Sequence, residues 1–80
     1  MQVAIEISMY PLLESYEPSI LDFITRLNQH PNLRIRTNEM STQIFGEYDL
    51  IMNILTKEMK ESFEQGKTTI MIMKVLVVNT

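Results

Sequence analysis

LRIRTNEMSTQIFGE, residues 33–47, is the stretch that decides the fold of this 80-residue chain. Leu33, Ile35 and Thr37 alternate with polar residues, which is the period-two pattern of a strand buried on one face. The alternation resumes over residues 41–47, after an Asn-Glu pair that suits a turn. Because the link between the two strands is so short, they are predicted to form an antiparallel hairpin.

Helical patterns flank the hairpin on both sides. Before it, Pro18 suits the first turn of a helix, and an apolar stripe at helical spacing follows. That stripe comprises Ile20, Phe23, Ile24 and Leu27. After the hairpin, Asp49 is the predicted N-cap of a second helix that ends before Gly66. The apolar row of the second helix comprises Ile51, Leu55, Met59 and Phe63.

Two further strand patterns begin and end the chain. Residues 2–10, QVAIEISMY, alternate with Val3 and Ile5 on the face that we expect to be buried, and residues 67–78 are apolar on both faces. The order predicts an α+β fold, a ferredoxin-like βαββαβ sandwich with a four-stranded antiparallel sheet and two helices on one face. In that topology the strand order is 4-1-3-2. Residues 1–80 are expected to form a single domain.

This topology brings polar residues from distant stretches to one end of the sheet, where strand one finishes and the hairpin turns. They are Ser8, Tyr10, Tyr16, Thr37, Asn38, Ser41, Thr42, Lys67 and Thr68. Convergent polar groups beside an aromatic wall are what a small-molecule site requires. The alternative is that these strand ends and turns are polar simply because they face water.

The sheet face away from the helices is too apolar for a surface left to solvent. It is predicted to carry Ala4, Glu6, Ser8, Tyr10, Gln43, Phe45, Ile70, Ile72 and Leu76. The last strand is long, hydrophobic and at an edge, which is an aggregation hazard unless something covers it. Because no cysteine is present to staple a thin core, we expect a homo-oligomer, either a homodimer or a homotetramer.

Charge and hydropathy exclude two classes of partner. The formal net charge is −3 and the basic residues are scattered, so nucleic-acid binding is not expected. No apolar run approaches the roughly 20 residues that cross a bilayer, and no segment has the pattern of a signal peptide. We therefore expect no membrane insertion and a cytoplasmic location.

The sequence lacks the usual signatures of catalysis and metal binding. His30, the only histidine, has no orienting partner nearby in the sequence, so a solvated helix end is its simplest role. Glu58, Glu61 and Glu64 are interpreted as a solvated helix face. With no cysteine and no phosphate-binding or nucleophile motif, we expect no enzyme activity, no metal and no cofactor.

Two segments resemble a known family when they are taken together. Residues 5–12, IEISMYPL, and residues 37–46, TNEMSTQIFG, are similar to the YkoF-like family of thiamine- and hydroxymethylpyrimidine-binding proteins. The resemblance implies a ferredoxin-like fold, association through the sheets, and binding of thiamine or its pyrimidine portion without known catalysis. The ligand-binding residues that it implies are Ser8, Tyr10, Thr37, Ser41 and Thr42, with Asn38 and Glu6 beside them.

The implied ligand suits these residue types. An aminopyrimidine offers a donor amine and acceptor ring nitrogens, which hydroxyls and a carboxylate can match. The thiazolium of thiamine is a cation that Tyr10, Tyr16 or Phe45 could hold by a cation–π contact. Two functions stay open at this point: a thiamine-pathway binding protein, or a ligand-sensing or oligomerisation module of the same fold without thiamine specificity.

Overall fold

Six elements follow one another in the predicted order. The computed structural model describes residues 1–66 and 68–78. Its elements are β1 (Gln2–Pro11), α1 (Glu17–Asn28), β2 (Arg34–Thr37), β3 (Thr42–Glu47), α2 (Tyr48–Phe63) and β4 (Thr69–Val77). All neighbouring strands are antiparallel, in the order β2-β3-β1-β4, so the predicted ferredoxin-like fold is confirmed. The predicted start of the last strand, Lys67, lies outside the described residues.

Strand alternation and helical periodicity meet in one core. The buried apolar side chains are Val3, Ile5, Ile7, Phe23, Leu27, Leu33, Ile44, Ile51 and Leu55. Each such side chain contributes about 1.5–3 kcal/mol when it is fully removed from water. The cluster takes one face of β1 and β3 and the apolar stripes of both helices, so the helices cover one side of the sheet as predicted.

No helix or strand of the described residues covers the opposite side of the sheet, which we call the open face. On β4 it exposes 48% of Ile70, 53% of Ile72 and 62% of Leu76. These residues pair with Tyr10, Ser8 and Ala4 of β1 in the cross-strand register. The predicted apolar open face and the edge position of β4 are both confirmed. No helix of the described residues is long and apolar enough to cross a bilayer.

The start of α2 differs from the prediction. Its N-cap is Glu47, whose carboxylate accepts a hydrogen bond from the Leu50 N–H at 2.9 Å, so the assignment of Asp49 as the cap is wrong. The side chain of Glu47 emerges from the last residue of β3 and therefore reaches the free N–H groups of the first turn. Hydrogen bonds from the main-chain N–H groups of Leu50 and Asp49 lower the pKa of Glu47 below its ordinary value.

The end of α2 also differs from the predicted apolar row. Phe63 is 43% exposed, whereas Ser62 and Glu58 are buried. Residues spaced four apart are rotated slightly more than one full turn, because the helix has 3.6 residues per turn. A row with strict four-residue spacing therefore moves gradually around the helix and leaves the buried face. Polar residues therefore face α1 in the last turns of α2.

A charged cluster joins the two helices where the sequence analysis expected solvated groups. Arg26 Nη1 donates to Glu58 Oε1 at 2.8 Å and to the Glu58 carbonyl oxygen at 2.8 Å. His30 Nε2 lies 2.7 Å from Glu58 Oε2. The interpretation of His30 and Glu58 as solvated is therefore wrong, because each finds its partner 28 positions away in the sequence.

Candidate functional site

The candidate site forms where the C-terminal part of β1 extends past Thr42, the first residue of β3. The β1–β3 register runs from Gln2–Glu47 to Ile7–Thr42 and stops there. Residues 8–11 of β1 continue to pair with β4 alone. On its other edge, this part of β1 faces the turn between β2 and β3, residues 38–41, which we call the hairpin turn.

The hairpin turn closes on itself. Asn38 Oδ1 accepts hydrogen bonds from the N–H groups of Met40, at 2.8 Å, and Ser41, at 3.0 Å. The Asn38 N–H donates to the Ser41 carbonyl oxygen at 3.0 Å. An asparagine side chain that bonds its own backbone a few residues on is a common way to build a turn. The turn thereby keeps its shape without a hydrogen-bond ladder to β1.

The first cleft, the helix-side cleft, lies between the hairpin turn, the end of β1 and the start of α1. Its volume is about 450 Å³. Its walls are mostly apolar and aromatic and include Met9, Tyr16, Ile20 and Phe23. The hydroxyls of Thr37 and Thr42 stand side by side in it, with their Oγ1 atoms 3.5 Å apart.

The second cleft, the open-face cleft, lies on the other side of the same turn. Its volume is about 640 Å³, and its lining includes Glu6, Ser8, Ile72 and Lys74. Glu6 Oε2 accepts a hydrogen bond from Ser41 Oγ at 3.0 Å, and Glu6 Oε1 lies 3.6 Å from Lys74 Nζ. This cleft is the more polar of the two and opens directly onto the exposed sheet.

The predicted site residues gather around the hairpin turn but divide between the two clefts. Glu6 and Ser8 line only the open-face cleft, and Thr37 and Thr42 line only the helix-side cleft. Of the predicted site residues, Tyr10, Asn38 and Ser41 line both clefts. The division follows from the period-two geometry of strands, which sends Ser8 and Thr42 to opposite faces although they lie at neighbouring positions of the register.

Sequence reasoning missed the walls that complete each cleft. The apolar residues of α1 in the helix-side cleft, Ile20, Phe23 and Ile24, are predicted only as part of a helical stripe. Their helical spacing was visible in the sequence, but a stripe does not reveal that its N-terminal end borders a cleft. Met9 and Lys74 fall within the predicted first and last strands, and they line the helix-side and open-face clefts respectively.

One aromatic candidate for a cation–π contact is already engaged. The guanidinium carbon of Arg34 lies 4.6 Å from the centre of the Phe45 ring, across the β2–β3 pair. Tyr10 and Tyr16 are the remaining predicted aromatic partners, and both line the helix-side cleft. Within residues 1–66 and 68–78, no group of three or more His, Cys, Asp or Glu side chains is arranged to hold a metal ion.

Comparisons with known proteins extend the fold assignment. No protein-family model and no curated protein sequence matches the chain. A crystal structure from Streptococcus pneumoniae has a TM-score of 0.88 at 20% identity, with 99% of this chain and 89% of that chain covered. A Thermotoga maritima protein, described as a candidate thiamine biosynthesis/salvage protein, has a TM-score of 0.86 at 15% identity, covering 98% of this chain and 85% of that one.

A third solved structure has the same topology. It is a domain of unknown function from Bacillus cereus, with a TM-score of 0.75 at 20% identity, and the match covers 98% of this chain and 77% of that one. Identities this low show the shared fold and nothing finer. Membership of the YkoF-like family therefore stays a prediction.

Proposed function

We propose that this chain is a non-catalytic binding protein for a small heterocyclic ligand, thiamine or its hydroxymethylpyrimidine portion, and that the helix-side cleft holds the ring. The observation that carries the proposal is the composition of this cleft. A volume of about 450 Å³, apolar and aromatic walls and two adjacent hydroxyls match the usual make-up of a small-molecule site.

The buried threonine supplies the polar anchor. Thr42 is 5% exposed, and among the described residues its hydroxyl contacts only Thr37 Oγ1, at 3.5 Å. A hydroxyl can donate or accept, so the pair can serve either a ring nitrogen or an exocyclic group of a pyrimidine. Tyr10 and Tyr16, both about half exposed, flank the same cleft and offer flat surfaces to a ring or to a thiazolium cation.

The Thermotoga maritima protein supports the choice of ligand. Its description names thiamine biosynthesis or salvage, and its fold matches nearly the whole of this chain. The resemblance of residues 5–12 and 37–46 to the thiamine-binding family falls on the end of β1 and on the hairpin turn. The structural match and the sequence resemblance therefore favour the same class of ligand, and the resemblance alone concerns this end of the sheet.

We propose binding without turnover because, among the described residues, no histidine lines either cleft, and the one hydroxyl–carboxylate pair, Ser41 with Glu6, has its carboxylate also engaged by Lys74 at 3.6 Å. His30 lines neither cleft and lies against Glu58 between the helices. The test is incubation of the pure protein with thiamine or hydroxymethylpyrimidine, followed by chromatography of the small molecules. We expect both compounds to be recovered unchanged, and steady conversion by the protein would contradict the proposal.

A thermal-shift screen tests the ligand. We expect thiamine and hydroxymethylpyrimidine to raise the melting temperature, while a panel of amino acids leaves it unchanged. A ligand at 100 times its dissociation constant adds about 2.7 kcal/mol to the free energy of unfolding, which such a screen detects. Stabilisation by amino acids and not by pyrimidines would contradict the thiamine assignment and leave a binding protein of other specificity.

The open face favours a second candidate function, an oligomerisation or ligand-sensing module without thiamine specificity. Ile72 and Leu76 are more than half exposed, and β4 leaves one edge unpaired in the sheet order. Exposed apolar surface of this kind marks interaction sites. We propose that a second copy covers it in a homodimer or homotetramer, an arrangement that is compatible with ligand binding at the helix-side cleft.

A further inference from the structure

Three hydrogen bonds show which neighbouring strand the N–H and C=O groups of each β1 residue face. The Tyr48 N–H donates to the Met1 carbonyl oxygen at 2.9 Å, which places odd-numbered residues of β1 in hydrogen-bonded pairs with the β3 side. The Leu12 N–H donates to Thr68 O at 2.8 Å, and the Val78 N–H to Gln2 O at 3.0 Å. Even-numbered residues therefore direct their N–H and C=O groups toward β4, as the alternation of an antiparallel ladder requires.

Met9 is the first odd-numbered residue of β1 beyond its last pair with β3, Ile7–Thr42. The same register, continued by two residues past Ile7–Thr42, would pair Met9 with Met40. The main chain of Met40 is engaged elsewhere, because its N–H donates to Asn38 Oδ1 at 2.8 Å and its carbonyl oxygen faces Ser8 Oγ at 3.4 Å. The main-chain groups of Met40 that would have extended the β1–β3 ladder are thus used within the hairpin turn and by Ser8. The N–H and C=O of Met9 therefore face the gap between β1 and the hairpin turn.

The next odd-numbered position does not repeat this arrangement. Pro11 has no N–H, and its carbonyl oxygen accepts a hydrogen bond from the Leu13 N–H at 3.0 Å. The free edge of β1 in the described structure is therefore one residue long. A peptide that adds as a strand needs several consecutive main-chain pairs. A single donor beside a single acceptor instead matches one edge of a small planar molecule.

We infer that the main-chain N–H and C=O of Met9 hydrogen-bond to the ligand. The ligand then presents a hydrogen-bond acceptor next to a donor on one edge of a planar heterocycle. The inference rests on the proposed function and deepens it. Met9 lines the helix-side cleft together with Thr42, so a ring seated there can meet both. In an aminopyrimidine, a ring nitrogen would accept from the Met9 N–H, and the exocyclic amine would donate to the Met9 carbonyl oxygen.

The partial burial of Met9 adds a physical reason for this role. A peptide N–H and C=O need partners, and a protein rarely leaves them without one away from water. In the free protein, solvent in the gap can serve Met9. A ligand that replaces that solvent must supply both an acceptor and a donor, so recognition by Met9 discriminates on the hydrogen-bond pattern of the ring and not on a side chain.

Amide hydrogen exchange measured by NMR on the unmodified protein tests the inference, with hydroxymethylpyrimidine as the probe. In the free protein we expect the Met9 N–H to exchange faster than the Ile7 N–H by about tenfold or more, since Ile7 is paired with Thr42. At saturating hydroxymethylpyrimidine we expect exchange at Met9 to slow by about tenfold or more, while Ile7 changes little. Protection of Met9 in the free protein, or no change on saturation, would overturn the inference.

A pair of ligands separates this inference from the proposed function. The second ligand is the analogue of hydroxymethylpyrimidine that lacks the exocyclic amine. It cannot donate to the Met9 carbonyl oxygen, so we expect it to bind about fivefold more weakly than hydroxymethylpyrimidine. If both compounds bind equally and leave Met9 exchange unchanged, the role of Met9 is wrong and the binding function stands. If neither compound nor thiamine binds, the proposed function and this inference both fail.

Discussion

The Nε2 atom of His30 lies 2.7 Å from Oε2 of Glu58, and this contact joins the segment after α1 to the C-terminal half of α2. Arg26 holds the other carboxylate oxygen at 2.8 Å and also donates to Ser62 Oγ. Burial of Glu58 opposes its ionisation, but the hydrogen bonds from His30 and Arg26 outweigh that effect and lower the pKa of Glu58. The cluster therefore holds the helix layer together with an ionised carboxylate.

We predict that Glu58→Gln destabilises the protein by about 1–3 kcal/mol, the usual cost when a buried hydrogen-bond partner is weakened and a charge is left unpaired. The measurement is urea denaturation at neutral pH. Glu61→Gln is the matched control, because Glu61 lies on the same helix and is exposed. Equal effects of the two substitutions would show that the cluster contributes nothing specific.

The same cluster gives stability a defined pH dependence. Because the folded-state pKa of Glu58 lies below the unfolded-state value of about 4.3, the unfolded chain binds more protons in acid. The stabilisation is complete above that unfolded value and is lost as the pH falls through the folded one. Glu47 acts in the same direction, since main-chain N–H groups lower its pKa.

We therefore predict that the free energy of unfolding of the wild type decreases below about pH 5. In Glu58→Gln this decrease should be shallower. The remaining slope comes from groups such as Glu47 and Asp22. Hydrogen bonds from Gln65 and Arg26 lower the pKa of Asp22. Urea titrations at a series of acidic pH values measure the slope. Identical slopes in the wild type and the variant would contradict the assignment.

Local patterns were enough to predict the order of elements and the sheet. Alternation in residues 2–10 and 33–47 gave the buried face of the central strands, and the stripe containing Phe23 and Leu27 gave the packing face of α1. The cluster around Glu58 could not be predicted, because a buried carboxylate depends on partners from another helix. The pattern of residues within one helix shows which of them are apolar. It does not show which charged residue from a distant part of the sequence will lie against a polar residue of that helix.

The candidate site was predictable in place but not in geometry. Topology alone located Ser8 and Thr42 at the same end of the sheet, and the structure places both beside the hairpin turn. It was not evident that the sheet separates them into two clefts, nor that the main chain of Met9 would be left facing the gap. Both facts depend on where the β1–β3 register stops, which is set by the turn that Asn38 closes.

We predict that the protein sediments as a homodimer or homotetramer at micromolar concentration. Ile72→Asp, on the open face, should shift it toward monomer because a charge at a buried interface is costly. Leu21→Asp is the control, since Leu21 is a comparably exposed leucine on the helix layer. Sedimentation of the wild type as a folded monomer would contradict the predicted assembly, as would dissociation by Leu21→Asp alone.

Calorimetric titration of hydroxymethylpyrimidine and thiamine into the wild type and Thr42→Val is the most direct test of the central claim. Valine keeps the shape of threonine and removes the hydroxyl, so we predict saturable binding to the wild type that is weakened between about fivefold and about a hundredfold in the variant. Thr56→Val, the same change on the exposed side of α2, should bind like the wild type. Absence of binding to the wild type, or equal affinity of a folded Thr42→Val, would contradict the account.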